Sequence, residues 1–391
     1  MFMRFAVASA GTVLSLGALI LTLLTVVPAP SYAIWRISVG AIELSLGLGL
    51  LGLLGALLGI LLVRSSNIVG SLILICGIAA FGLGLLPFLR ARTTAAREGQ
   101  RLSIARYFTG FLSSALDVEI TRDLVFAEVD GQSLRLDIYR SPPSSGTLGA
   151  AAPAVIVAHG GSWSGGAKGE FAAWSRALAR DGYVVFDVEY RLASPGRHFP
   201  IQAGDVKCAI GWVKRNAAEY GVDPGRIALL GRSAGGQVAL LAAYTPNSPA
   251  APASCPSDDT SVQAAIAFYA PVDLTWGYNN PSRPDLINGQ ATLSNYIGGV
   301  PANDAQAYLL ASPSTHVNAT TPPTLVIHGG HDRIVGVQHA AFLEEALKAA
   351  DVPHRVVRLP WADHGFDLFF DGWGSQIVQP IIRDFLGEHL N

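Results

Sequence analysis

Charge is what this 391-residue sequence has least of: only 14% of its residues are Asp, Glu, Lys or Arg. An ordinary soluble domain carries about 25%. Half of the residues here are apolar, which excludes a chain lying wholly in water. Lysine is nearly missing, with Lys168, Lys207, Lys214 and Lys348 making up all of it, and the net charge is −2. That balance excludes the basic footprint of a nucleic-acid-binding protein. Cysteine is scarce as well. Cys76, Cys208 and Cys255 form no CxxC pair, which excludes a thiolate metal site and a dithiol redox motif. Cys208 and Cys255 could pair, but the sequence favours two isolated small residues. No internal repeat is visible.

What the sequence has in plenty is apolar residues, and they crowd its start. Three stretches, Phe5 to Val27, Ile37 to Val63 and Ile68 to Leu89, each exceed the roughly 20 residues a helix needs to cross a bilayer. Glu43 is the one charged residue inside them. Pro28 and Pro30 close the first, and Arg64-Ser65-Ser66-Asn67 precedes the third. Gly52, Gly55 and Gly59 would let neighbouring helices approach closely. Residues 1–91 therefore read as an all-α transmembrane anchor of about three helices at 5–27, 37–63 and 68–89. An alternative is a cleaved leader over residues 1–33, with a peptidase-like Ser31-Tyr32-Ala33, which would leave two spans. Arg36, Arg90, Arg92, Arg97, Arg101 and Arg106 share the side of the C-terminal region, with Arg4 and Arg64 opposite. This asymmetry places a C-terminal domain in the cytoplasm, whereas a leader would argue the reverse. Residues 92–116, with Leu102, Tyr107, Phe108, Phe111 and Leu112 among charged positions, form a linker or an amphipathic helix.

From Asp117 the pattern changes. Val118–Phe126 and Leu134–Tyr139 read as strands joined at Asp130-Gly131, a hairpin signal. Further strands are expected at Ala154–Ala158, Val184–Val188, Ile227–Leu230, Ala264–Tyr269, Thr324–His328 and Val356–Leu359. Amphipathic stretches at 170–180, 203–219, 235–244 and 338–350 separate them, and 141–153 and 246–260 are surface loops. Strands alternating with helices imply a mostly parallel sheet with helices on its faces.

Chemistry gathers after those strands. Gly231-Arg232-Ser233-Ala234-Gly235 follows one strand and opens a helix. A serine hydroxyl needs exposure, alignment and a base to become a nucleophile, and a tight strand-to-helix turn supplies the first two. His159-Gly160-Gly161-Ser162-Trp163 follows another strand. Its backbone N–H groups at Gly161 and Ser162, with that of Ala234, could bind the oxyanion of an acyl-transfer transition state. An acid and a base should come later in the chain, and Asp332 and His364 stand in the right order after strands. His364 would shuttle the proton of Ser233 while Asp332 fixes the imidazole. His159 reads as support for its loop rather than as a base. Asp363 is poorly placed to orient the neighbouring His364, and His328 and His331 read as strand and loop residues. His198, His316, His339, His354 and His389 have no such context. No His and carboxylate grouping has metal-ligand spacing, and this chemistry calls for no cofactor.

At this point the sequence resembles a known family. HGGSW, then Tyr190-Arg191-Leu192 with Phe199-Pro200 and Asp205-Val206, then Asp223-Pro224 with Arg226-Ile227, then GRSAGG, are similar to the esterase/lipase branch of the α/β-hydrolases. The HGGxW form also resembles kynurenine formamidases and prenylcysteine methylesterases. The likeness covers residues 117–391 and implies an α/β-hydrolase catalytic domain. It implies Ser233, Asp332 and His364 as the triad, Gly161, Ser162 and Ala234 as oxyanion donors, and structural roles for Asp205 and Glu189. Ser162 departs from the third glycine usual in the lipase branch. The stretch 273–311, with Trp276, Tyr278, Tyr296 and Tyr308, resembles a lid insertion. The implied activity is hydrolysis of small-molecule carboxylic esters through an acyl-serine, on lipophilic substrates reached from the bilayer. Rival readings are an amide, formamide or peptide hydrolase on the same triad, or a non-catalytic membrane receptor on a hydrolase fold. The last would be expected to lack triad members, and this sequence has all three.

Overall fold

The computed structural model describes residues 2–63, 67–110, 118–142 and 151–390. The readings that involve Arg64, Phe111 and Leu112, and most of the 141–153 loop, fall outside the described residues. The chain divides into two compact units. One comprises Met1–Leu112, Gly329–His331 and Leu359–Ile377; the other comprises Ser113–His328, Asp332–Arg358 and Val378–Asn391.

The first unit is helical: α1 (Phe2–Leu23), α2 (Tyr32–Glu43), α3 (Ser45–Val63), α4 (Asn67–Arg97) and α5 (Ile104–Thr109). Three of these, over Met3–Leu23, Ser45–Val63 and Ile68–Arg97, are long and apolar enough to cross a membrane. Where the sequence suggests one helix over 37–63, the structure has two. The first starts earlier, with the Ser31 side chain accepting from Ile34 N, and stops at a cap on Leu44. The break puts Glu43 on a separate short helix, so α3 carries no charge at all. Small residues make the α3–α4 seam. A Cβ on Gly77 would lie 2.4 Å from Gly52 O, and one on Gly52 would lie 2.6 Å from the Ala80 Cβ, so the backbones meet at a distance only glycine permits. The opposite face of α3 exposes Leu50, Leu54, Leu57 and Leu61, a contiguous apolar surface unsuited to water.

The second unit is built on an eight-stranded sheet: β1 (Glu119–Val129), β2 (Gln132–Arg140), β3 (Ala152–Ala158), β4 (Val184–Val188), β5 (Val222–Arg232), β6 (Ala264–Phe268), β7 (Thr324–Gly329) and β8 (His354–Leu359). The order is β1-β2-β4-β3-β5-β6-β7-β8. β1 and β2 pair antiparallel, β2 pairs antiparallel with β4, and the pairs from β4 through β7 are parallel. Asp130 and Gly131 both take positive φ at the β1–β2 turn, as a two-residue hairpin loop requires. Crossover helices follow in chain order: α6 (Ala172–Arg180), α7 (Ile201–Arg215), α8 (Ala217–Tyr220), α9 (Ala234–Tyr244), α10 (Leu274–Asn279), α11 (Gly289–Ile297), α12 (Pro301–Leu310), α13 (Gln338–Ala349) and α14 (Trp373–Leu390). β4, β6 and β7 are wholly buried, as are β3 over Ala154–Ala158 and β5 over Ile227–Arg232, the mark of a sheet covered on both faces.

The two cysteines the sequence left apart form a disulfide, Cys208–Cys255, with Cα atoms 5.6 Å apart. Gly204, Cys208 and Gly211 stand on one face of α7. A Cβ on Gly204 or Gly211 would come within 2.5 Å of the hydroxyl oxygen of Ser254 or Ser257 respectively. That bare face lets the 246–260 loop lie flat on the helix and delivers Cys255.

Arg191, 2% exposed, holds a fully buried Asp205 through both its backbone N–H and its guanidinium. It also reaches Asp130 and Ser254. This pairing ties α7 to the hairpin turn and agrees with a structural role for Asp205. Removing one partner of such a pair strands a buried charge, at a cost of about 3 kcal/mol. Asp205→Ala should therefore lower the thermal unfolding midpoint by several degrees, measured in detergent, whereas Asp259→Ala at the exposed Lys214 pair should leave it nearly unchanged.

Candidate active site

β5 ends at Arg232 and α9 begins at Ala234, so Ser233 alone makes the turn, with φ 54° and ψ −124°. A non-glycine residue there costs about 1–3 kcal/mol of backbone strain. The surroundings enforce it. Ser233 N donates to Phe268 O at 2.9 Å. A Cβ on Gly231 would fall 2.1 Å from Gly235 O, and one on Gly235 would fall 2.0 Å from His159 O. The two glycines flanking the serine are therefore the residues that fit. Beneath the turn the Arg232 guanidinium is buried over the rings of Phe171, Trp174 and Phe268, a cation–π cage that fixes the strand end.

The His159–Trp163 loop packs directly on this elbow, since a Cβ on Gly160 would touch Ser233 Cβ at 3.5 Å. Gly161, Ser162 and Trp163 take positive φ in succession. A Cβ on Gly161 would lie 2.2 Å from Gly165 O. Gly161 O accepts from Ser164 N and Gly165 N, closing the turn. The departure at Ser162 thus sits in a backbone conformation glycine would adopt more cheaply. Trp163 holds the loop down by stacking on Tyr296 and donating to Gln237 Oε1 at 2.8 Å. His159 is buried and stacks on Tyr190, whose hydroxyl donates to His159 O. Burial holds the His159 imidazole below its usual pKa, and its Nδ1 meets Gly160 O at 2.7 Å. It supports the loop. Ala234 is the first residue of α9, where backbone N–H groups lack intrahelical partners and the helix dipole favours negative charge.

Asp332 follows β7, and its Oδ1 accepts from Ile334 N and Val335 N at 2.9 and 2.8 Å. Its Oδ2 is 3.4 Å from His328 Nε2. His364 follows β8, in the stretch that belongs to the helical unit. Its N donates to Asp363 Oδ1 at 2.8 Å. Residues just before Asp332 and His364 are joined inside that unit: Gly330 N donates to Leu359 O and His331 N to Ala362 O. A Cβ on Gly329 would fall 2.3 Å from Ala362 O, so this close approach also demands glycine. Gly161, Ser162, Ser233, Ala234 and Asp332 thus share one unit, and His364 belongs to the other.

A cavity opens onto Ser162, Ser233 and Ala234, walled by apolar side chains that include Ile287, Leu293 and Val335. Much of its wall comes from the 273–311 stretch, where α10, α11 and α12 lie. His339, set aside on the sequence, lines the same cavity. It is 3% exposed, its Nδ1 faces the N–H groups of Val272 and Asp273, and Trp276 meets it edge-on. Burial first, and His328 second, push its pKa down to about 3. A helix residue with no neighbouring motif gives no sequence signal for such a position. Among the described residues no group of three or more His, Cys, Asp or Glu is arranged to hold a metal ion.

The family profile described as BD-FAE matches residues 136–347. The probable carboxylic ester hydrolase LipM of Mycobacterium tuberculosis is 36% identical over 249 residues, covering 63% of this chain and 56% of LipM. Carboxylesterase NlhH of the same species is 32% identical over 248 residues, covering 61% of this chain and 72% of NlhH. The match to LipM therefore spans little more than half of that protein's length. Among solved structures, the thermophilic esterase Est2 of Thermogutta terrifontis superposes with a TM-score of 0.55 at 28% identity, over 69% of this chain and 92% of Est2.

A neutral, buried His339 carries a pH signature. In the unfolded chain it binds a proton below about pH 6.5, whereas in the folded protein it does so only near 3. The unfolded state thus holds more protons between these values, and stability falls as pH drops through that window. His339→Gln should remove about 2 kcal/mol of the stability lost between pH 7 and pH 5, read as the change in the wild-type-minus-variant unfolding free energy.

Proposed function

The chain belongs to the BD-FAE family of α/β-hydrolases, and from that premise we propose that it is a serine hydrolase of carboxylic esters. Ser233 is the nucleophile, His364 the general base and Asp332 the acid that orients it. The observation that carries the reading is the strained Ser233 elbow opening onto an apolar cavity beside the Gly161–Ser162 turn. The relation to esterases of known name supports the ester class.

In this account His364 removes the proton from Ser233 Oγ as that oxygen bonds to the substrate carbonyl carbon. The carbonyl oxygen becomes an oxyanion, held by the N–H groups of Gly161, Ser162 and Ala234. Each such donor contributes about 10²–10³ in rate. The tetrahedral adduct collapses, the C–O bond to the alcohol breaks, and His364 returns the proton to the leaving oxygen. Water, deprotonated by His364, then releases the acid from acyl-Ser233 by the same steps.

Residues 1–91 anchor the enzyme in a bilayer through three spans, and residues 117–391 form the catalytic domain, with 273–311 as its lid. The anchor and the apolar cavity wall together favour lipophilic esters. Arginine placement favours a catalytic domain on the cytoplasmic side. The Cys208–Cys255 disulfide favours a second reading, with the domain in an oxidising compartment.

Purified full-length protein in detergent should hydrolyse p-nitrophenyl esters, and Ser233→Ala should lower kcat about 10⁴-fold or more with an unchanged melting curve. A folded wild type inert on all acyl lengths, yet active on anilides, would move the assignment to amides. A C-terminal reporter pair, fluorescent protein against alkaline phosphatase, should give fluorescence for a cytoplasmic domain. Phosphatase activity would establish the outward orientation instead.

A further inference from the structure

The stretch Leu359–Ile377, which carries His364, belongs to the same compact unit as the N-terminal helices. Within that unit α2 runs along it. Trp35 Nε1 donates to Asp363 Oδ2 at 3.2 Å, while the other oxygen of Asp363 accepts from His364 N. Trp35 is 7% exposed and Asp363 1% exposed, so this is an interior contact across 328 residues of sequence. One turn further along α2, Gly40 lies against the Phe369 ring, where a Cβ would stand at 3.5 Å. At its end the buried Glu43 leaves no room for a side chain at Gly372. Trp35 and Glu43 stand on a buried stripe of α2 with Val39 and Ile42 at helical spacing.

The short helix α5 and its cap residue Ser103 hold the far end of the same stretch. Arg106 pairs with Asp371 at 2.6 Å, Tyr107 stacks on Trp373 at 4.1 Å, and Ser103 exchanges two hydrogen bonds with the Gln376 amide. A surface tether would need none of this. A base loop gripped at both ends is pre-organised, and displacing a catalytic group by about 1 Å can cost 10²-fold in rate.

We propose that α2 is part of the catalytic apparatus: Trp35 is a positioning residue that fixes Asp363 and, through it, the backbone at His364. This rests on the reading of His364 as the general base. The role differs from anchoring, because it concerns the rate of the chemical step rather than where the enzyme resides.

The test uses the full-length protein in detergent, comparing wild type, Trp35→Phe, Asp363→Asn, the double variant and Arg106→Gln. With p-nitrophenyl butyrate, Trp35→Phe should lower kcat about 10- to 100-fold with KM within twofold and the melting curve retained. The double variant should be no slower than Asp363→Asn alone, because both changes cut one chain of contacts. An unchanged kcat for Trp35→Phe, or losses that multiply in the double variant, would overturn the proposal. If Trp35→Phe does not fold, Arg106→Gln at the more exposed contact should still slow kcat about threefold, and wild-type kcat there would count against it. Amide hydrogen exchange of the peptide around His364 is read on the same samples. It should be at least about 10-fold faster in Trp35→Phe, and equal protection would overturn the proposal even if wild type hydrolyses no ester. A wild type inert on every ester, with faster exchange in the variant, would refute the esterase reading while leaving the contact intact.

Discussion

The site depends on two pieces of backbone meeting where no side chain can intervene. Gly235, in the first turn of the helix after the serine, lies against the carbonyl of His159, with room for no more than a hydrogen. That contact packs the His159–Trp163 loop against the Ser233 turn. The strain stored at Ser233 persists because β5, β6 and the glycines over-determine the turn. Arg232 below and Trp163 above complete the clamp with aromatic contacts. In the proposed reading the N–H groups of Gly161, Ser162 and Ala234 would be in place before charge develops, because the turn is fixed by main-chain contacts.

The same device recurs at the other half of the constellation. Gly329 sits against Ala362 O nearly as closely as Gly235 sits against His159 O, and it joins the approach to Asp332 to the approach to His364. Sheet order makes this possible, because β7 and β8 are neighbours. Within the helical unit, the stretch Leu359–Ile377 that carries His364 meets the indole of Trp35 and the guanidinium of Arg106. The apolar N-terminal helices and the stretch that carries His364 thus belong to one compact unit.

Much of this was legible in sequence because it is local. Short apolar runs separated by helical periodicity gave the strands, and glycine at fixed offsets from Ser233 and His159 gave the turns, since backbone sterics leave few alternatives there. What escaped was long-range. His339 gained its place in the cavity wall only when α13 docked beside α10, and its own neighbours in sequence are ordinary helix residues. Cys208 and Cys255 paired because Gly204 and Gly211 leave a flat face on α7, which is visible only once the 246–260 loop is laid on it. The break at Leu44 escaped because a long, almost wholly apolar sequence runs through it; at that break Glu43 lies buried against Gly372, a partner more than three hundred residues away.

The central claim is that Ser233 is the activated nucleophile, and covalent capture tests it most directly. Full-length protein in detergent would be treated with a fluorophosphonate and its peptides mapped by mass spectrometry. The account predicts one adduct, on the peptide containing Gly231–Gly235 and localised to Ser233, formed at a rate that collapses in His364→Ala. An adduct on another residue, or none in folded protein, would contradict it.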